Sequence, residues 1–143
     1  MIRELKIAAV LGLALTGAAW AETVEVQMLN RGDAGTMVFE PAFVRIAPGD
    51  SVRFVATDRG HNAETIEGML PEGATPFSGA INEELTVTFD ETGLFGVRCT
   101  PHYAMGMVMV IAVGDVTTVP DGFLEGRIPR KAMERFEEAL AGL

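Results

Sequence analysis

The sequence predicts an all-β protein, an antiparallel β-sandwich with Greek-key connections. Two observations support this fold class. Residues 23–113 mostly alternate between apolar and polar side chains, which is the period of a half-buried strand. Turn-forming residues interrupt the alternation repeatedly, so this stretch divides into about six to eight short strands, as in sandwich domains.

The strand pattern covers seven stretches, taken in chain order: 23–28, 36–39, 43–46, 51–57, 85–89, 94–99 and 107–113. In the first stretch Val24, Val26 and Met28 alternate with polar residues, which indicates one buried face. Residues 30–35, with the sequence NRGDAG, are predicted to form a turn after this strand. Pro48-Gly49-Asp50 is a typical break between later strands, because proline is pre-set for the first corner of a turn. The last stretch is apolar on both faces, which predicts a strand in the centre of a sheet.

Residues 58–82 lack a clean period and are rich in glycine and proline. We expect a long loop here, and loops of this length in compact domains are usually functional. His61 stands at the start of this loop.

The residues after Val113 follow a helical period. Apolar side chains recur at spacings of three and four: Met133, Phe136, Leu140 and Leu143. This spacing predicts an amphipathic helix, with Pro129 as a favourable first residue. A second, shorter helix could occupy residues 121–126, although Gly122 and Gly126 disfavour it.

The first residues predict a signal peptide over 1–21. Arg3 and Lys6 precede an apolar run over 7–18, and Ala19-Trp20-Ala21 resembles a small-x-small cleavage site. Cleavage after Ala21 would leave residues 22–143 as one domain. The apolar run is too short to span a bilayer, so we expect an exported protein that does not insert into a membrane.

The composition excludes one class of partner. The chain has 11 basic and 20 acidic residues and a net charge of −9, which argues against nucleic acid binding. It also contains one cysteine, so no disulfide can form within the chain. In an exported protein such a thiol must be buried, reactive, paired with another chain or bound to a metal.

One short loop concentrates potential metal donors. Residues 99–107, with the sequence CTPHYAMGM, lie between two predicted strands and include Cys99, His102 and Met107. A tight turn would bring these three side chains round one centre, and His61 is the only other histidine in the chain. A His₂Cys set with a weak, long axial methionine is the donor set of a blue-copper electron-transfer site.

Each of these residues has an ordinary structural explanation when it is taken singly. A lone cysteine is usually a small buried hydrophobe. The combination of C-x₂-H-x₄-M with a preceding histidine favours the ligand interpretation. Met105, Met107 and Met109 alternate, so two of them could simply pack in a strand; we assign Met107 as the ligand and Met105 as a surface neighbour.

The residues around the ligands are predicted less directly. Asn62 could hydrogen-bond to the Thr100 segment and join the two ligand segments, or it could be a turn residue. Backbone N–H groups near the cysteine would stabilise its thiolate. Pro101 removes a backbone donor beside the sulfur and stiffens the loop. Met37 belongs either to the core or to the lining of the site.

These motifs resemble those of the cupredoxins, the type 1 blue-copper proteins, and most closely the pseudoazurin branch. Residues 99–107 are similar to its copper loop along their full length, and Gly60-His61-Asn62 resembles its first histidine segment. A helical tail after the last strand is also a trait of that branch, whereas plastocyanins typically end earlier. The resemblance covers residues 22–143. It implies an eight-stranded sandwich with two C-terminal α-helices and one type 1 copper ion bound by four residues: His61, Cys99, His102 and Met107.

The resemblance also implies a monomeric periplasmic carrier of single electrons. His102 would be the ligand at the solvent edge, in an apolar docking patch with Pro101 and Met105. The implied partners are nitrite reductase, nitrous oxide reductase or a c-type cytochrome. Members of this branch generally surround the patch with lysines, but Lys131 is the only lysine left after the predicted cleavage. Arginines such as Arg59 would have to supply a basic ring.

Two other functions compete with electron transfer. The alternating methionines would suit a copper-delivery or storage protein, but a thiolate with two imidazoles favours retention of the metal. A catalytic copper centre would need further imidazoles, and both histidines are already assigned, so the sequence predicts a protein that is not an enzyme. A tetrahedral zinc site remains a chemical alternative, and it would be colourless and redox-silent.

Overall fold

The computed structural model describes residues 20–143, so the predicted signal peptide lies almost wholly outside the described residues. Its cleavage after Ala21 stays a prediction. The described chain contains eight strands, a 3-10 helix (Thr100–Met105) and one α-helix, α1 (Arg130–Leu140). The strands are β1 (Thr23–Gly32), β2 (Gly35–Glu40), β3 (Phe43–Ile46), β4 (Ser51–Val55), β5 (Glu64–Thr65), β6 (Leu85–Thr88), β7 (Gly93–Arg98) and β8 (Val108–Val113).

Two four-stranded sheets form the sandwich, which confirms the predicted all-β fold class. One sheet has the order β2-β1-β4-β6 and the other has the order β3-β8-β7-β5. The pairs β1–β4 and β3–β8 are parallel, and the remaining pairs are antiparallel. The prediction of a purely antiparallel sandwich is therefore wrong at these two pairs. The chain crosses to the other sheet after β2 and returns after β3, so strands that run in the same direction become neighbours.

The strands differ from the predicted pattern in two places. β1 and β2 extend so far that the turn predicted over 30–35 is reduced to Asp33 and Ala34. The sequence pattern also misses β5, which lies within the long loop over 58–82 and pairs with β7. A strand of two residues is too short to show alternation, so its existence depends on the neighbouring strand.

β8 is the central strand that its two apolar faces predict, since it lies between β3 and β7 and all of its residues are buried. One set of alternate residues belongs to the core between the sheets: Met109, Ile111 and Val113. The other set packs in a second cluster with α1: Val108, Val110 and Ala112. The strand is apolar on both faces because a sheet covers one face and a helix covers the other.

The C-terminal tail contains one α-helix among the described residues, so the expectation of two helices is wrong. Residues 121–126 form turns, and Gly122 has a φ of +84°, which a right-handed helix does not allow. In α1 the buried residues are Ala132, Phe136 and Ala139. Met133 belongs to the predicted apolar stripe but is not among the buried residues. The two alanines are small, so the helix can approach β8 closely. The prediction was based on the spacing of large apolar side chains and therefore did not include them. Within residues 20–143, no helix combines the length and apolar character needed to cross a bilayer.

Candidate metal centre

The loop between β7 and β8 is closed by its own backbone hydrogen bonds. The N–H of Cys99 donates to the carbonyl of Met107 (2.9 Å), and the N–H of Met107 donates to the carbonyl of His102 (3.1 Å). Pro101 lies in the first turn of the 3-10 helix, where its missing N–H costs no hydrogen bond. Gly106 ends the helix with a φ of +87°, a conformation that glycine adopts without strain. The loop therefore holds its three donor residues together without any help from a metal.

Three donor atoms converge at the end of the sandwich where this loop lies. His61 Nδ1 and His102 Nδ1 are 3.1 Å apart, and Cys99 Sγ lies 3.7 Å from the former and 3.5 Å from the latter. These separations suit donors that share one metal ion at bond lengths of about 2.0–2.3 Å. The donor set fits copper, because a thiolate and two imidazoles bind this soft, thiophilic metal.

Met107 is fully buried and belongs to the same core cluster as Cys99. Its backbone hydrogen bonds to Cys99 and His102 place it beside the other ligands. Met109 is also fully buried, but it lies further along β8, where it pairs with Val97. Met105 is 46% exposed, as expected for a surface neighbour. These positions support Met107 as the axial ligand.

His61 is fully buried and lies in the segment between β4 and β5, near the start of the loop that the sequence predicts. Its backbone carbonyl accepts a hydrogen bond from the N–H of Asn82 (2.9 Å). Its Nε2 lies 2.8 Å from the side-chain oxygen of Asn30. Because an amide oxygen only accepts, Nε2 carries the proton and Nδ1 is left free to bind a metal.

The sequence pattern predicts a turn at Asn30 and does not predict its contact with His61. The structure places it in β1, where its N–H also donates to Asp58 (2.8 Å). The only sequence signal was a polar residue that breaks the apolar alternation. Such a break is equally typical of a turn, so the contact with His61 is visible only in three dimensions.

Asn62 makes the cross-link that the sequence predicts. Its side-chain oxygen accepts from the N–H of Thr100 (2.7 Å), and its side-chain nitrogen donates to the Thr100 hydroxyl (2.9 Å) and to the carbonyl of Gly79 (3.1 Å). The side chain is buried, so water does not replace these bonds readily. The hydrogen bonds join the segment of His61 to the segment of Cys99.

Burial controls the protonation of the ligands. It raises the pKa of the Cys99 thiol, while the backbone N–H groups of Asn62 and His102 oppose that rise, as predicted for N–H groups near the cysteine. The carboxylate of Glu64 raises it further. Burial also lowers the pKa of His61, and the neighbouring imidazole of His102 adds to this effect. The site therefore favours a neutral imidazole, and a bound cation would stabilise the thiolate.

A second polar network, which the sequence pattern does not predict, lies at Arg98, the residue before Cys99. The carboxylate of Glu64 accepts hydrogen bonds from Arg98 Nε (2.7 Å) and from the hydroxyl of Ser78 (3.0 Å). Burial raises the pKa of Glu64, but hydrogen bonds from Arg98, Thr100 and Ser78 outweigh it and lower the pKa overall. This network ties β5 to β7 immediately before Cys99.

The remaining predicted site residues are exposed or half-buried. Pro101 and Arg59 are exposed and His102 is half-buried, so all three are accessible to a partner, together with Met105. Met37 is half-buried and packs against the core between the sheets. It has a φ of +53°, which is uncommon for a residue other than glycine.

The chain is similar to known copper-binding proteins. A family profile described as copper binding proteins of the plastocyanin/azurin family matches residues 26–114. The chain is 50% identical over 138 residues to a pseudoazurin of Paracoccus pantotrophus, and the match covers 96% of this chain and 95% of that protein.

Solved structures of pseudoazurins are similar to this chain over almost their whole length. The protein from Methylobacterium extorquens AM1 has a TM-score of 0.78 and 42% identity, and the match covers 84% of this chain and 98% of that one. The protein from Hyphomicrobium denitrificans also has a TM-score of 0.78, with 38% identity and coverage of 85% and 98%.

Proposed function

The chain belongs to the plastocyanin/azurin family of copper-binding proteins, and from this premise we propose that it carries single electrons between redox proteins of the periplasm. His61, Cys99, His102 and Met107 form its type 1 copper site, and the protein is a blue-copper electron carrier and not an enzyme. The observation that carries the proposal is the triangle of two imidazole nitrogens and one sulfur, with sides of 3.1, 3.5 and 3.7 Å.

The protein contributes rigidity to this chemistry. Copper, when bound, supplies the one-electron couple between Cu(I) and Cu(II). Backbone bonds within the loop, the Asn62 cross-link and the Asn30 contact to His61 all hold the donors in place independently of the metal. Since the donors are held before the metal binds, they move little when its charge changes, and the barrier to electron transfer stays low.

His102 is the best route for electrons to enter and leave. The other three ligands are fully buried, whereas His102 is half-buried and has exposed Pro101 as its neighbour. With Met105 these residues form a small apolar patch. A carrier must leave its partner quickly, so we expect a docking interface below about 1,200 Å² in total.

The charge of the chain bears on the choice of partner. We propose a periplasmic nitrite reductase, nitrous oxide reductase or c-type cytochrome, reached by the monomeric protein after removal of its signal peptide. Lys131 packs its stem against Gly106 in the copper loop, and Arg59 is exposed, so positive groups remain although the net charge is −9. Electron transfer rates measured with each partner class over a range of salt concentrations would rank them.

Adding Cu(II) to the purified protein tests the central proposal. We expect one copper per chain, an intense visible thiolate-to-copper band and a type 1 EPR spectrum. Cys99→Ser should abolish the band, and Met107→Leu should alter the spectrum, whereas the control Met105→Leu should leave it unchanged. A colourless, redox-silent complex would contradict the proposal and support a zinc site. Fast copper exchange without the band would favour copper delivery.

A further inference from the structure

The guanidinium of Arg135, on α1, donates to three backbone carbonyls close to the copper ligands. Nη1 lies 2.6 Å from the carbonyl of Met37 and 3.1 Å from that of Gly106, and Nη2 lies 2.8 Å from that of Thr36. We propose that Arg135 is a positioning residue for the copper centre, which holds the Met107 segment and the strand beside Asn30 in register. This inference rests on the proposed function of the site.

The contact with the Gly106 carbonyl fixes the peptide unit that carries Met107. The carbonyl of Gly106 and the N–H of Met107 belong to the same planar unit. Arg135 donates to that carbonyl, and the N–H donates to His102. Both ends of the unit are therefore held, which sets the direction in which the Met107 side chain leaves the backbone. An axial thioether is a weak ligand at a long distance, so the protein and not the metal sets its position.

The other two contacts stabilise an interruption in the pairing of β1 with β2. The pairing is regular on both sides, with Leu29 opposite Val38 and Arg31 opposite Thr36, but it skips the pair between them. That pair is Asn30, which orients His61, and Met37, whose φ of +53° turns its backbone out of the ladder. The carbonyls of Thr36 and Met37 bond to Arg135 instead, so the arginine stabilises this irregular backbone.

Helix α1 packs closely against the copper loop at Gly106. A Cβ at this glycine would lie 2.7 Å from Lys131 Cγ and 3.0 Å from Arg135 Cδ. The side chain of Arg135 is therefore confined between the loop and β2. Its Nη1 donates to one carbonyl from each segment, and the second arm of the fork adds the bond to Thr36.

Arg45 offers a matched control, because it makes the same kind of contact far from the copper ligands. Its guanidinium donates to the carbonyls of Gly114 (2.9 Å), Val116 (2.8 Å) and Leu143 (3.4 Å). Arg135→Met and Arg45→Met each remove three such bonds and keep a long apolar stem. Both variants should lower the melting temperature of the metal-free protein, but only the first should change the copper centre.

The experiment measures the EPR spectrum, the reduction potential and the copper affinity of the copper-loaded parent and variants. For Arg135→Met we expect an altered EPR spectrum, a shifted potential and copper affinity weaker by about 10-fold. Arg135→Lys should restore part of the loss, since it keeps the charge but not the fork. Arg45→Met should match the parent in all three measurements.

The possible failures are distinguishable. If Arg135→Met and Arg45→Met both match the parent spectrum and potential, the positioning role is wrong while the copper site stands. If Arg135→Met does not fold, an Arg135→Lys protein with the parent's spectrum, potential and affinity would equally overturn it. If the parent itself shows no blue-copper spectrum, the proposed function and this inference both fall.

Discussion

The side-chain amide of Asn62 joins the segments that carry His61 and Cys99, and it uses both of its polar atoms to do so. Asn30 accepts a hydrogen bond from Nε2 of His61 and so selects its tautomer. Neither residue is a donor to the metal. Both determine where a donor atom points, which is how residues outside a ligand set tune a metal site.

Replacing Asn62 with alanine leaves the N–H of Thr100 and the carbonyl of Gly79 without their partners. We expect a loss of about 1–3 kcal/mol in the free energy of unfolding, since Gly79 is buried and an unsatisfied buried group costs about that much. We also expect a shifted visible band in the copper protein. Urea denaturation and visible spectroscopy measure the two effects. Gln27→Ala is the control, because Gln27 makes only an exposed side-chain bond to Thr57; equal losses in the two variants would contradict the cross-link.

The carboxylate of Glu64 predicts a pH dependence of stability. Its pKa in the folded protein is lowered, because hydrogen bonds from Arg98, Thr100 and Ser78 outweigh the burial that raises it. The charged carboxylate therefore stabilises the fold above the unfolded pKa of about 4.3. This contribution is lost as the pH falls through the folded pKa.

Glu64→Gln should therefore destabilise the metal-free protein at pH 7, and the difference from the parent should shrink in acid. Denaturant titrations between pH 7 and about pH 3 measure it. The matched control is Glu25→Gln, which breaks the exposed pair between Glu25 and Arg53 and should change stability little. A difference for Glu64→Gln that stays constant across this range would refute the assignment.

α1 connects the sandwich to the copper loop at the level of whole elements. Its buried residues cover the outer face of β8, and its polar edge carries Arg135 and Lys131 to the loop. The tail is therefore part of the support of the metal centre as well as of the core.

Phe136→Ala tests how much this helix contributes. Phe136 is fully buried against β8, and truncation of such a residue costs about 3–5 kcal/mol. We expect a matching drop in the free energy of unfolding in urea. The neighbouring Glu137→Ala, at an exposed position, should change it by less than about 0.5 kcal/mol. A loss below about 1 kcal/mol for Phe136→Ala would show that the helix is only loosely attached.

At the scale of the whole molecule, the fold itself forms the metal site. The core between the sheets includes residues from both sheets together with Cys99 and Met107, so two of the ligands are also packing residues. Folding therefore assembles the site, and the metal adds stability to a structure that already exists.

The metal-free protein should show a cooperative thermal unfolding transition, and copper should raise the midpoint temperature of this transition. Binding to the folded state alone stabilises by about 4 kcal/mol when free copper exceeds Kd a thousandfold. Differential scanning calorimetry of the metal-free and copper-loaded forms measures the shift, with Cys99→Ser as the control that should lose most of it. A metal-free chain without a transition would show that the metal drives folding instead.

Local pattern was sufficient for the fold class, the central strand and the ligand set. Alternation marks strands directly, and the three donors of residues 99–107 are close in sequence, so their proximity follows from chain geometry alone. The cross-link made by Asn62 could also be predicted, because this residue is adjacent to His61 in the sequence.

The contacts that orient the ligands link residues far apart in sequence: Asn30 with His61, Glu64 with Arg98, and Arg135 with Met37. The parallel pairs and the buried face of α1 depend equally on which elements become neighbours. In each of these contacts, the two partners come within contact distance only when the chain has folded. The local periodicity of the sequence carries no information about which distant residues become neighbours.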